Sequence, residues 1–338
     1  MALSTENIAE TTGLIDADNV FSKTLRFMKI TGSLLLNEDY CSPWAVSIPD
    51  KKQLAESLEN KKNVHIAAFH LVRRGYIEIE LENGNKELVR EGEMVICFAG
   101  TSHTIYQGAS KPARPFNNIM QGGQNIFQPT EDNYPQSTSL ICGIFMLHNT
   151  HLNPLFEALP PLLKISSRPS KSYSSSTTAS IISLLLTEIE QPSFVHEFII
   201  ERYLELLCAK CIHSYIETAT EGDIGWFHAI KDPKIANVII AIHSQPAFAW
   251  SVKALASIIS LSPSRFATRF TEIMGITPMV YVTRWRMYLA SKMLNDTQLG
   301  LDQISIQVGY ENVAAFSRMF KQIIGSSPGA WRTYHRAV

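Results

Sequence analysis

Phe266-Ala-Thr-Arg-Phe270-Thr-Glu-Ile273-Met-Gly275-Ile-Thr-Pro278 recurs, fifty positions on, as Phe316-Ser-Arg-Met-Phe320-Lys-Gln-Ile323-Ile-Gly325-Ser-Ser-Pro328. Each copy sets apolar residues at i, i+4 and i+7, one stripe of an α-helix. Each closes on Gly, which enters the left-handed region freely, and then on a Pro that cannot continue the helix. Upstream, a shorter helical run (Leu255–Ser260 or Ile304–Val308) meets a tight break, Leu261-Ser262-Pro263 or Gly309-Tyr310-Glu311-Asn312. Ser262 and Asn312 are the expected N-caps, and Pro263 fits the first helical position. Short helix, turn and longer helix make a helix-turn-helix. Two of them imply a chain that reads duplex DNA twice.

Charge supports that reading. From Lys231 to Val338 there are 12 Lys+Arg against 5 Asp+Glu, a formal +7. The rest holds 18 basic and 26 acidic residues, a formal −8, so the near-neutral total hides a basic C-terminal third. A positive field of that extent suits a polyanion, because released counterions drive binding. The segment Met279–Leu294 carries Tyr281, Trp285, Leu289 and Met293 at four-residue spacing and is expected to bridge the modules as a helix. Sixteen residues span about 24 Å, which suits two recognition helices about 34 Å apart, one duplex turn.

With Phe266, Phe270 and Ile273 inward, Ser264, Arg265, Thr268 and Arg269 face out. With Phe316, Phe320, Ile323 and Ile324 inward, Asn312, Val313, Ala314, Ser317, Arg318 and Lys321 do so. Arg318 is the candidate for bidentate contact to guanine, while Arg269 suits phosphate or a buttressing role.

The segment Ile304–Arg332, ISIQVGYENVAAFSRMFKQIIGSSPGAWR, resembles the signature of the AraC/XylS family of bacterial transcription regulators. The Gly-Tyr turn, the paired Phe residues and the Ser-Pro-Gly-x-Trp-Arg ending carry the likeness. Thr283-Arg284-Trp285-Arg286-Met287 resembles the subset with a cupin-like effector domain. The likeness is dense over Trp250–Arg332 and looser over Leu14–Ile165. It implies base-reading positions at Ser264, Ala267 and Thr268, and at Val313, Ala314 and Arg318. It also implies promoter DNA and RNA polymerase as partners, activation as the usual output, and a homodimer.

The first half reads as many short strands. Phe69–Leu81 alternates, with Ile77, Ile79 and Leu81 on one face. Asn83-Gly84 is a hairpin turn leading to Lys86–Arg90, and Glu91-Gly92-Glu93 turns into Met94–Phe98. Further strands are expected at Ser102–Gln107, Asn117–Met120 and Leu140–Leu147. Such a pattern predicts a barrel or jelly roll, in agreement with the resemblance.

Cupin enzymes hold a metal with a His-x-His pair, a downstream Glu and a later His. Here His65 and His70 are five apart, so one strand points them to opposite faces. His103 stands near the later position without the partners such a set needs. No metal, cofactor or catalysis is therefore expected, and no HExxH, P-loop or nucleophile elbow argues otherwise. A small effector inside the barrel is the favoured signal, with Trp44, His65, His70, Arg73, Tyr76, His103 and Tyr106 as candidate contacts.

Five cysteines and no signal peptide or long apolar span fit a reducing bacterial cytoplasm, with nucleoid association when promoter-bound and no membrane contact. Cys208 and Cys211 complete no redox or zinc motif. Cys41 and Cys142 are the redox candidates should oxidation be the signal. An enzyme fused to a DNA-binding module and an architectural DNA binder without ligand are the competing readings.

Ser166–Ser180 reads as a polar linker, followed by helices at Ser180–Glu190 and Ser193–Glu217. Phe198, Ile199, Tyr203, Leu206 and Leu207 form an apolar stripe for dimerisation or for packing on the barrel. Thr218–Gly225 is an expected joint, and Pro233 an expected opening of the DNA domain. The fold class expected is α+β and multidomain: a cupin-like β-barrel at 14–165, linker and dimerisation helices at 166–230, and an all-α domain with two helix-turn-helix motifs at 231–338.

Overall fold

The computed structural model describes residues 21–22, 24–25, 28–57, 64–108, 113–115, 137–166, 173–218 and 225–336. The chain forms two compact units. One holds the described parts of 29–148 and 159–218; the other holds those of 1–28, 149–158 and 219–338. The strand expected at 117–120 and the joint at 219–224 lie outside the described residues.

The first unit pairs two five-stranded sheets. One runs β1 (Ile30–Tyr40), β9 (Thr138–Leu147), β3 (His65–Arg74), β6 (Glu93–Cys97) and β10 (Leu163–Ser166). The other runs β5 (Lys86–Arg90), β4 (Tyr76–Leu81), β7 (His103–Gln107), β2 (Trp44–Ile48) and β8 (Arg114–Pro115). Among the described pairings only β2 with β8 is parallel. The single strand expected over Phe69–Leu81 is in fact two. Gly75, at φ +81°, breaks it, so β3 stays in one sheet and β4 enters the other. The Asn83-Gly84 turn joins β4 to β5 as expected, with the Gly84 amide 2.9 Å from the Leu81 carbonyl. Strands β1, β2 and β10 and the helix α1 (Lys51–Ser57) had no clear sequence signal.

Alternate residues fill the space between the sheets: Ile66, Ala68 and Val72 from β3, Ile77 and Ile79 from β4, Val95 from β6, Ile105 from β7, and Leu140 and Ile144 from β9. Each large aliphatic side chain so buried contributes about 1.5–3 kcal/mol. Strand β9 is buried on both faces.

Besides α1, two longer helices belong to the described part of this unit, α3 (Tyr173–Glu190) and α4 (His196–Thr218). The first begins seven residues earlier than expected. Thr178, Ile182 and Leu185 are buried, and packing of α3 on α4 overrides the weak helix propensity of the Ser/Thr-rich start. α4 lies on β1 so closely that a Cβ on Gly32 would fall 2.4 Å from Leu204 Cβ. The expected apolar stripe of α4 is divided between two sides. Leu204, Leu207, Cys208, Cys211 and Ile212 are buried, while Phe198 and Leu206 remain 64% and 53% exposed.

The second unit is helical: α2 (Pro154–Glu157), α5 (Trp226–Lys231), α6 (Pro233–Ser244), α7 (Val252–Ile258), α8 (Pro263–Met274), α9 (Pro278–Asp296), α10 (Leu301–Gln307), α11 (Val313–Ile324) and α12 (Pro328–Arg336). Its centre is α9, whose 19 residues extend the expected bridge at both ends and span about 28 Å. Trp226 Nε1 donates to Tyr281 Oη at 3.2 Å, and His243 stacks on Trp285 with ring centres 3.5 Å apart. Asp232 caps α6 through its side chain, with Pro233 in the first turn.

Candidate nucleic-acid interface and the interior of the barrel

The recognition helices form where local chemistry places them. Ser262 Oγ accepts from the Arg265 amide at 3.4 Å, and Asn312 Oδ1 from the Ala315 amide at 2.7 Å. Gly275 and Gly325 end α8 and α11 in the left-handed region, at φ 74° and 91°. Phe266 and Phe270 are fully buried in the first module, Phe316 and Phe320 in the second. Ile273, Ile323 and Ile324 are only half-buried, and Met274 completes the first stripe instead. The residue of positive φ in the turn differs: Ser260 takes φ 53° in the first module where Gly309 takes φ 84° in the second. Gly309 is also crowded, since a Cβ there would lie 2.8 Å from Arg286 Nη2 and 2.9 Å from Ala247 Cα.

Ser264, Arg265, Thr268 and Arg269 are exposed on α8; Asn312, Ala314, Arg318 and Lys321 are exposed at α11, with Val313, Ser317 and Ala267 half-exposed. Some basic residues of this unit are held by partners, while others, Lys234 on α6 and Lys253 on α7 among them, are exposed without a side-chain ion pair or hydrogen bond among the described residues. Arg269 pairs with Asp232, Arg284 with Glu157 and Lys292 with Asp296. Arg286 donates to the Pro246 and Phe248 carbonyls at 2.8 and 2.7 Å, and Arg332 to that of Leu299 at 2.5 Å. These hold the scaffold. Among the described residues the side chains of Arg265, Arg318 and Lys321 make no ion pair or hydrogen bond, and all three lie on the recognition helices. Arg269 is thus a buttress in this arrangement, and Asn312 is committed to its cap. The bonding role of Arg286 gives no signal in the sequence because its two acceptors are backbone atoms some forty residues away, which no side-chain motif reveals.

In the barrel the seven candidate residues do not converge. Arg73 reaches Ser139 and Glu190, Tyr76 is 40% exposed, and Tyr106 donates to Glu78 at 3.2 Å from the outer side of β7. His65 Nε2 lies 2.6 Å from the Phe98 carbonyl. Trp44, His70 and His103 are buried. Trp44 stacks on Tyr40 at 4.7 Å, and its Nε1 has no hydrogen-bond partner among the described residues.

The expectation that His103 lacks partners is corrected by the structure. His103 Nε2 lies 2.8 Å from His70 Nε2 and 3.7 Å from Cys97 Sγ, while Cys142 Sγ lies 3.0 Å from His70 Nδ1. His65 and His70 do take separate partners, so the His-x-His, Glu and His set of cupin enzymes is not assembled among the described residues. The cluster was invisible in the sequence because its members come from β3, β6, β7 and β9, across both sheets. Burial holds both imidazoles below their ordinary range, with mutual repulsion adding to the effect at His70. It pushes the Cys97 thiol up to about 12 and Cys142 well above the usual thiol range. Of the two redox candidates, Cys142 is a buried, protonated thiol and Cys41 is half-exposed in its loop.

Paired helix-turn-helix modules with free cations on both recognition helices, joined to a double-sheet domain, define a DNA-binding transcription regulator. Residues 19–217 match the family described as Cupin, and residues 255–334 match that described as Helix-turn-helix domain. The chain belongs to the AraC/XylS family of transcription regulators, in its cupin-bearing form. It is similar to the HTH-type transcriptional regulator AlkR of Acinetobacter baylyi, 27% identical over 78% of this chain and 86% of that protein. It is similar also to an AraC-like transcription regulator of Streptomyces lividans, 26% identical over 80% and 87%. The RCS-specific HTH-type transcriptional activator RclR of Escherichia coli is 24% identical over 68% and 83%. Among the described residues no helix is long and apolar enough to cross a membrane.

Proposed function

We propose that this regulator binds promoter DNA through two successive major grooves, with α8 and α11 as the reading helices and α9 as the spacer. The observation that carries the reading is the sorting of cations. Four arginines of the scaffold are held within the protein, whereas Arg265, Arg318 and Lys321, on the two recognition helices, have no side-chain ion pair or hydrogen bond among the described residues. Arg318 reads guanine, and Arg265 and Lys321 contact phosphate. The small or apolar residues Val313 and Ala314 suit thymine methyl groups. Activation through RNA polymerase is the proposed output, in line with a relative named as an activator. The chain acts in the bacterial cytoplasm and is not an enzyme.

Control comes from the barrel. The buried Trp44 Nε1, without a partner among the described residues, is a donor that a small effector could satisfy. An effector shifts the balance between two arrangements only by its difference in affinity for them. Two copies associate through the outer side of α3 and α4, where Leu184, Phe194, Val195, Phe198 and Leu206 are all more than half exposed. The test is footprinting of the purified protein on its own promoter region. Protection of two blocks on one face supports the proposal, and uniform coating of any DNA contradicts it.

A further inference from the structure

Within the largely aliphatic filling between the sheets, four ligand-type side chains lie together. His70 occupies an inward position of β3 between Ala68 and Val72, and the cluster it forms with His103, Cys97 and Cys142 draws on both sheets. Burying polar groups costs stability unless they find partners, and an aliphatic filling of the same volume would be at least as stable. Two imidazoles and two thiols gathered in one buried place are a donor set that suits an occupant.

The hydrogen bonds narrow what that occupant is. The Thr101 carbonyl, 3.1 Å from His103 Nδ1, can only accept, so that nitrogen carries the ring proton. In the neutral ring His103 Nε2 is then a bare lone pair aimed at His70 Nε2. Without an occupant, one proton chain satisfies everything: Cys142 S–H donates to His70 Nδ1, and His70 Nε2–H donates to His103 Nε2. Reversing the His70 tautomer gives two converging lone pairs, with Cys142 Sγ accepting from Nδ1–H. That second state is a ligand set.

The geometry points to a metal-ion site formed by His70 Nε2, His103 Nε2 and Cys97 Sγ, taking one borderline-soft transition ion, Zn(II) or Cu(I). The three donor atoms already lie within 4.8 Å of one another in a fully buried group. Bonds of about 2.0 Å to nitrogen and about 2.3 Å to sulfur place ligand atoms roughly 3.3–3.5 Å (N–N) and 3.5–3.7 Å (S–N) apart. The Cys97–His103 separation fits as it stands, and the two nitrogens need to part by about 0.5 Å. A mixed imidazole and thiolate set excludes hard ions such as Mg(II) and Ca(II). On binding, Cys97 exchanges its S–H bond for an S–metal bond, and the proton goes to buffer. Cys142, bonded to the far nitrogen of His70, orients that ring rather than touching the ion.

The experiment uses the reduced, full-length protein stripped with chelator. It is titrated with Co(II), an optical stand-in for Zn(II), and separately with Cu(I) held by a competing chelator. One ion per chain is expected, with sulfur-to-metal charge-transfer absorption and a melting midpoint that rises with ion concentration. Cys142→Ser should keep the stoichiometry and the absorption. Cys97→Ala should abolish the absorption, and His70→Gln should weaken uptake at least tenfold. Absence of saturable one-per-chain uptake, or no rise in the unmodified protein's midpoint, overturns the site. So does charge-transfer absorption that survives Cys97→Ala, since Cys208 or Cys211 would then be its source. These readouts involve no DNA, so their failure leaves the regulator reading standing.

Discussion

Asn153 donates its side-chain amide to Tyr288 Oη at 3.0 Å, although 135 residues separate them and Asn153 lies between two strands of the sheet unit. Its Oδ1 also caps α2, accepting from Leu155 and Phe156. A short insertion between β9 and β10 is thereby part of the helical unit, fixed to α9. Glu157 pairs with Arg284 on the same helix, and His151 packs on Trp331.

Asn153→Ala should lower stability by about 1–3 kcal/mol through the lost buried hydrogen bond, with a smaller addition from the lost cap. Asn153→Ser keeps a cap acceptor and loses the amide donor without burying a charge, so its cost should be smaller. Thermal melting of the full chain orders the three proteins. Equal midpoints would show that the insertion is not integral to the helical unit.

Arg286 ties the helical unit together from α9, bonding two carbonyls of the α6–α7 connection while its guanidinium lies 5.8 Å from the centre of the Tyr310 ring. Arg286→Lys cannot reproduce the two directed N–H donors. It should cost about 1–3 kcal/mol and weaken DNA binding on all sequences alike. Selective loss at one base pair would instead make Arg286 a DNA contact.

The exposed apolar side of α4 predicts its own test. Phe198→Asp with Leu206→Asp should yield a folded monomer by light scattering at micromolar concentration, because the buried side carrying Leu204 and Leu207 is untouched. A dimer unchanged by both substitutions would place the interface elsewhere.

The helix-turn-helix modules were legible because everything that builds them is local. Ser262, Asn312, Gly275 and Gly325 act within a turn of where they stand, and the Phe pairs repeat at helical spacing. The sheets were legible where a hairpin is local, as at Asn83-Gly84. β1 pairs with β9 and β10 with β6, across long separations that a strand pattern does not encode. The same limit hid the His70, Cys97 and His103 group. Ser/Thr-rich composition misled at 173–180, where packing of α3 on α4 supplied what propensity lacks.

Salt dependence follows from the free cations. Affinity should fall steeply with ionic strength, and Lys321→Ala should reduce the slope by about one unit while weakening all sequences similarly. An unchanged slope would remove Lys321 from the phosphate contacts.

Reading of two successive grooves by α8 and α11 can be checked by selecting bound sequences from a random pool. The unmodified protein should select two conserved blocks about 10 base pairs apart, centre to centre. Arg318→Ala should lose about 1–3 kcal/mol of specific affinity and relax one position, in the α11 block alone. A single conserved block, or a selected site that Arg318→Ala leaves unaltered, would show that the two helices do not read DNA together.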